Sequence, residues 1–324
     1  MSSELTRIMT GGFLAACSVI GGITQANAQT VPGITEWQTS LYADHPLTGR
    51  IWLSETAEFI SIDDLLAAIG SGSYLLLGEK HDNPDHHLLQ QQLVEYLIRQ
   101  DRLESLSLEM LDSGQSGLLT AMTGQEMTDL DSLQTYLQWD AAGWNWEFYA
   151  PLIQAARLAG IPVRSANISE TAMREVYAQT ADPLPNDILD EAAMQQLNEE
   201  IDSSHCQLLP ASQFPAMVRV QQARDYSMAH SLADDAPVAP GKLRVLIAGN
   251  FHVRSDLGVP RYLAYLNPEL EESQTVSLAI LEVDGESVDP NDYLQAFSAK
   301  VPYDFIWFTP ALTDEDYCAT LQDR

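Results

Sequence analysis

Two segments place a glycine three residues ahead of a histidine, each directly after an apolar run. Leu75-Leu76-Leu77 leads into Gly78-Glu79-Lys80-His81, and Leu246-Ile247-Ala248 leads into Gly249-Asn250-Phe251-His252. Glycine lets a chain turn sharply, so a histidine spaced this way arrives at the rim where a strand ends. A third apolar run, 103–108, ends in Glu109-Met110, and a fourth, from Ile161, leads to Arg164 and Asn167. Imidazoles and carboxylates brought together suit a divalent metal ion, here with Glu79, His81, Glu109 and His252 as ligands, or general acid–base chemistry. They equally suit hydrogen bonding to an iron porphyrin and its substituents. One G-x-x-H is a weak signal, because a histidine after a strand is more often a loop cap. Two copies at strand ends, with a carboxylate at a third, outweigh that reading.

These residues are distant in sequence, so the fold must bring them together. The short apolar runs 74–77, 103–108, 161–163, 243–248, 276–281 and 305–308 read as buried parallel strands. Between them, 84–99 carries Leu88, Leu89, Leu93, Tyr96 and Leu97 at helical spacing, with Pro84 in the first turn, where its missing N–H is not needed. A second helix over 152–158 ends at Gly160, ahead of Pro162. Such alternation predicts an α/β fold, a mostly parallel central sheet with helices on both faces. From about 181 to 240 the pattern changes. Residues 188–201 and 214–232 look helical between prolines, a helical insertion lobe in a domain spanning 29–310, followed by an acidic and loosely packed tail, 311–324. On the 214–232 helix Gln221 and Asp225 share a face.

The chain has 324 residues, with 46 acidic side chains against 16 basic ones and a net charge of −30. Its 45% hydrophobic content supports a sizeable core and excludes whole-chain disorder. The acid excess argues against nucleic acid and against anionic lipid surfaces. Residues 8–23 are apolar and are followed by Ala26-Asn27-Ala28, which reads as a cleaved signal peptide over 1–28. Leu14-Ala15-Ala16-Cys17 offers a rival reading, a lipoprotein box that would leave a lipid anchor at Cys17. Export follows either way. In an oxidising compartment Cys206 and Cys318 either pair or remain two free thiols; the sequence leaves this open.

The stretch from Gly78 through Asn83, Pro84, Asp85, His86 and His87, with Glu109-Met110-Leu111, strongly resembles the ChaN-like haem-binding uptake family of the Tiki superfamily. Trp144-Asn145-Trp146-Glu147-Phe148-Tyr149 is similar to its aromatic block. Gln221, Asp225, Met228 and Ala229 look like its insertion-helix signature, and Gly249 to Arg254 with Gly258-Val259-Pro260 like its C-terminal block. The likeness spans roughly residues 41–309 in order. It implies an exported haem-binding protein of a Gram-negative bacterium, periplasmic or outer-membrane-associated, working with haem or iron-transport components and sharing haem across a homodimer. The superfamily also holds metal-dependent hydrolases of the erythromycin-esterase-like type, so an enzyme using Glu79, His81, Glu109 and His252 stays as the alternative. On the haem reading, His81 and His252 are pocket residues. Tyr149 is a ligand for ferric iron, because phenolate binds it, and Tyr226 is a second candidate. Of the adjacent His86 and His87 only one can face the site, and His87 is taken as that one. Arg164 and Arg254 are the expected propionate anchors in an otherwise acidic field.

Overall fold

The computed structural model describes residues 32–33, 36–70, 72–122, 125–127, 129–179, 184–185, 188–233, 236–294 and 301–322. The signal segment 1–28 and Cys17 lie outside them. Two short strands, β1 (Ile51–Leu53) and β2 (Glu58–Ile60), precede helix α1 (Ile62–Ile69). Then come β3 (Tyr74–Glu79), α2 (Pro84–Arg99), β4 (Leu103–Asp112), α3 (Ser116–Ala121), α4 (Leu130–Leu137), α5 (Trp146–Leu158) and β5 (Val163–Asn167). They are followed by α6 (Glu170–Ala178), α7 (Glu191–Ser204), α8 (Phe214–Leu232), β6 (Leu243–Gly249), α9 (Val259–Leu266), β7 (Thr275–Glu282), β8 (Phe305–Thr309) and α10 (Tyr317–Gln322).

The strands form one sheet in the order β2-β1-β8-β7-β3-β6-β4-β5. From β8 to β5 neighbours run parallel, and β1 pairs antiparallel with both β8 and β2. This is the α/β architecture the alternation predicts. Side chains along a strand point to alternate faces, and the two hydrophobic cores divide that way. Leu75 and Leu77, Val245 and Ile247, and Leu278 and Ile280 face the core shared with α1, α2 and α5. Leu76, Leu246, Ala248, Ala279 and Ile306 face the core shared with α7, α8 and α9. Strands covered on both sides read as continuous apolar runs, which is why the sequence exposes them.

The departures have physical causes. β1 and β2 are three residues each, too short for their sequences, Ile-Trp-Leu and Glu-Phe-Ile, to stand out as strands. β5 begins at Val163 and extends to Asn167, beyond the expected 161–163, because it is the sheet edge and its Arg164 and Ser165 are half-buried polar residues. The tail is tied down rather than loose. Leu41 bridges to Ala311, which is buried, and Cys318 is disulfide-bonded to Cys206, 112 residues earlier.

The register explains the convergence of the two glycine–histidine segments. β3 and β6 are adjacent and parallel, with Gly78 opposite Ala248 and Glu79 opposite Gly249. Both loops therefore leave the sheet side by side, at the same level. Gly78 is packed without room for a side chain: an added Cβ would collide with Asn250 Oδ1 and stand 2.6 Å from Val253 Cγ2. Asn250 cannot yield, since its Nδ2 donates to the Ile280 carbonyl (2.7 Å) and its backbone N–H to that of Glu79 (2.9 Å). Gly78→Ala is expected to cost about 1–3 kcal/mol, seen as a lower denaturant midpoint; an unchanged midpoint would refute this packing.

Candidate functional site

Glu79 ends β3 with its side chain fully buried and three partners around it. The Tyr149 hydroxyl donates to Oε1 (2.5 Å), His81 Nδ1 lies 2.9 Å from the same oxygen, and His87 Nδ1 faces Oε2 at 3.3 Å. Asn83 and Asn145 set these groups in place by capping the helices that follow, accepting from Asp85 N (2.9 Å) and Glu147 N (3.1 Å). His87 stacks on Phe148, with ring centroids 4.2 Å apart, and its Nε2 reaches the His81 carbonyl at 3.0 Å. His86 points away, its Nε2 2.8 Å from Thr309 Oγ1, so the two adjacent histidines do part company as helix geometry requires. The His81 side chain remains 41% exposed and meets the Trp144 ring edge-on at 4.9 Å. Burial works against a charged His81, but the hydrogen bond it donates to Glu79 and the charges of Glu109 and Glu79 outweigh it, raising the imidazole above its ordinary range.

The second histidine sits between two carboxylates. His252 Nδ1 is 2.6 Å from Asp225 Oδ1, and Nε2 is 3.4 Å from Glu109 Oε1. Burial opposes its charge, yet Glu109 and Asp225 together push its pKa up to about 10. Burial likewise opposes charge on Glu109, but the His252 cation and the Gly249 backbone N–H (2.8 Å) bring it down to about 2. Gln221 and Asp225 do share one face of α8: Gln221 Nε2 donates to Asp225 Oδ2 (3.2 Å) and lies 3.1 Å from His252 Nδ1. The two halves meet at Gly249, where an added Cβ would stand 3.0 Å from His81 Nε2 and 3.7 Å from Glu109 Oε2. His81, His252, Glu79 and Glu109 thus occupy one end of the sheet.

This arrangement does not suit a metal ion. Both ring nitrogens of His252 face carboxylates, which favours the doubly protonated ring. Glu79 Oε1 and Glu109 Oε2 meet donors of their own, while Glu79 Oε2 and the His87 Nδ1 facing it make no hydrogen bond among the described residues; among those residues no group of three or more His, Cys, Asp or Glu side chains is arranged to hold a metal. Five further site candidates are placed as follows. Tyr149 is fully buried, its hydroxyl donating to Glu79, and burial with the neighbouring Glu79 carboxylate pushes its phenol far above the ordinary range. His87 is buried beneath the site. Tyr226 packs half-buried against the core on the other side of α8. Arg254 is fully buried, forked onto Asp256 (2.9 and 2.8 Å) and paired with Glu200 (2.9 Å). Arg164 lines a different cavity of about 780 Å³, with Arg157 and His230.

A cleft of about 460 Å³ opens at the carboxyl ends of β4 and β5, bordered by Glu109 and Trp144. Met110 and Met173 supply apolar wall, and Arg224 of α8 is the basic side chain of the lining. Its Nε is buried without a hydrogen-bond partner among the described residues. An aromatic ring and apolar side chains beside a guanidinium, in an otherwise polar wall, give the cleft both ring-contacting and anion-contacting groups, and its size lies in the usual range for small-molecule sites, roughly 300–1,000 Å³. Sequence reading missed Arg224. The available signal was its place three residues after Gln221, on the same helix face.

The fold has solved counterparts. A structure of cofacial haem binding to ChaN of Campylobacter jejuni aligns at TM-score 0.63 and 23% identity, covering 79% of this chain and 95% of that one. An erythromycin esterase, EreC, aligns at TM-score 0.41 and 14% identity over 76% of this chain and 77% of its own, too slight a likeness to bear on chemistry. No curated protein matches the chain. Residues 65–263, well over half of the 324, match the family described as haem-binding uptake, Tiki superfamily, ChaN, and the chain belongs to that family.

Proposed function

We propose that this protein binds haem in the cleft at the carboxyl ends of β4 and β5 and serves as an exported carrier in haem or iron uptake. The observation that carries the reading is the cleft itself, where Trp144 and Met173 border the opening together with the Arg224 guanidinium, whose Nε has no hydrogen-bond partner among the described residues. His81, exposed at the rim against Trp144, is the imidazole best placed to contact the bound group. The Glu79, Tyr149 and His87 network orients that imidazole, and the buried Glu109–His252–Asp225 row fixes the floor. Haem supplies the iron chemistry; the chain contributes binding, orientation and exclusion of water. Export is supported by the Cys206–Cys318 disulfide, since such bonds persist in oxidising compartments, and by the signal-like segment 1–28.

The test is a hemin titration of the purified protein followed by Soret absorbance. A saturable spectral change is expected, and Trp144→Ala should weaken binding about tenfold through lost ring contact. No spectral change, or equal affinity in Trp144→Ala, would contradict the assignment.

A further inference from the structure

We infer that Arg224 is the residue that recognises the ligand's carboxylate, making this cleft selective for anionic porphyrins; the inference rests on the haem reading above. The cleft wall is otherwise acidic, with Glu109, Asp112, Asp140 and Glu170 all contributing to it. Each of these carboxylates already has donors of its own. Glu109 accepts from the Gly249 N–H and faces His252, Asp112 accepts from Gly114 N–H (2.6 Å), and Asp140 accepts from Ala142 and Gly143 N–H (3.1 and 3.2 Å). Glu170 is taken by Arg174, one helical turn along α6. Arg224 is left with a buried, unpartnered Nε in a half-buried side chain. A guanidinium bordering the cleft, with no carboxylate against it among the described residues, can meet a bound carboxylate with a charge-assisted bond. Arg254, the nearer candidate in sequence to the second glycine–histidine segment, is spent on Asp256 and Glu200.

A negatively charged protein that must bind a dianionic ligand needs such a local exception. In a field of net charge −30, a cation on the cleft wall without a carboxylate partner among the described residues, set among carboxylates that have donors of their own, favours anionic ligands. A porphyrin with both propionates esterified has the same ring and no charge to offer it, and leaves Arg224 unpaired.

The experiment compares hemin with hemin dimethyl ester in the wild-type protein, Arg224→Gln and Arg224→Lys, by Soret titration, with circular dichroism confirming the fold of each. The wild type is expected to prefer hemin by about ten- to a hundredfold. Arg224→Gln should lose that preference by weakening hemin alone, and Arg224→Lys should retain part of it. A wild type that prefers hemin while Arg224→Gln keeps the same preference overturns the Arg224 assignment and leaves the haem reading standing. A wild type that binds neither porphyrin overturns the haem reading and this inference with it.

Discussion

Replacing His252 with Ala is expected to lower the unfolding free energy by about 3–5 kcal/mol at neutral pH. The reason is what remains behind. Glu109 and Asp225 are 3% and 1% exposed, and without the imidazolium between them two buried carboxylates face each other with no cation. The pH dependence carries the same signature, and its sign follows from linkage. His252 has its pKa raised to about 10 in the folded chain, above the ordinary 6.5. Its contribution is fully present below about pH 6.5 and is lost as pH rises toward 10. Glu109 is depressed to about 2 from 4.5, so its contribution is present above about 4.5 and is lost as pH falls toward 2. The contributions of His252 and Glu109 are therefore both full between about pH 4.5 and 6.5, while Asp225, whose carboxyl burial raises, subtracts from the row as pH climbs through its folded value. Denaturant unfolding of the wild type at pH 6, 8 and 10 should show a decline on the order of 2–4 kcal/mol, and His252→Gln should flatten it. A wild type whose stability does not change over that range would refute the charged state assigned to His252.

Arg254→Ala should be comparably severe, about 3–5 kcal/mol, because it strands Asp256 and Glu200 without their shared cation. Asp256 is 5% exposed and takes the full penalty, while Glu200, at 20%, is partly relieved by water. The double variant Arg254→Met with Asp256→Leu removes both charges of the inner pair, and should recover much of the loss. Hemin affinity per folded molecule should be unchanged in both, which separates this structural role from propionate binding. A large loss of affinity in the stable double variant would restore Arg254 to the site.

The same residue marks where sequence reading succeeds and where it stops. The parallel strands were legible because burial on both faces leaves runs such as Leu75-Leu76-Leu77 unbroken, and α2 and α8 occupy the expected 84–99 and 214–232. The meeting of His81 and His252 was legible too, as two identical strand endings; the register of Glu79 against Gly249 is its cause. Which arginine is available was not. Arg254 is consumed by Asp256 two residues on and by Glu200 fifty-four residues earlier, a contact no local pattern encodes. Tyr149 looked like an iron ligand because its type and neighbourhood suit one, yet its hydroxyl lies buried against Glu79, seventy residues away. Spacing identifies which groups share an edge; only packing decides which are already satisfied.

The most direct test of the account is anomalous diffraction at the iron edge from crystals of the hemin-loaded protein. The account predicts the iron peak within the cleft bordered by Glu109, Trp144 and Arg224. A peak in the larger cavity beside Arg157 and Arg164, or anywhere else on the molecule, would contradict it.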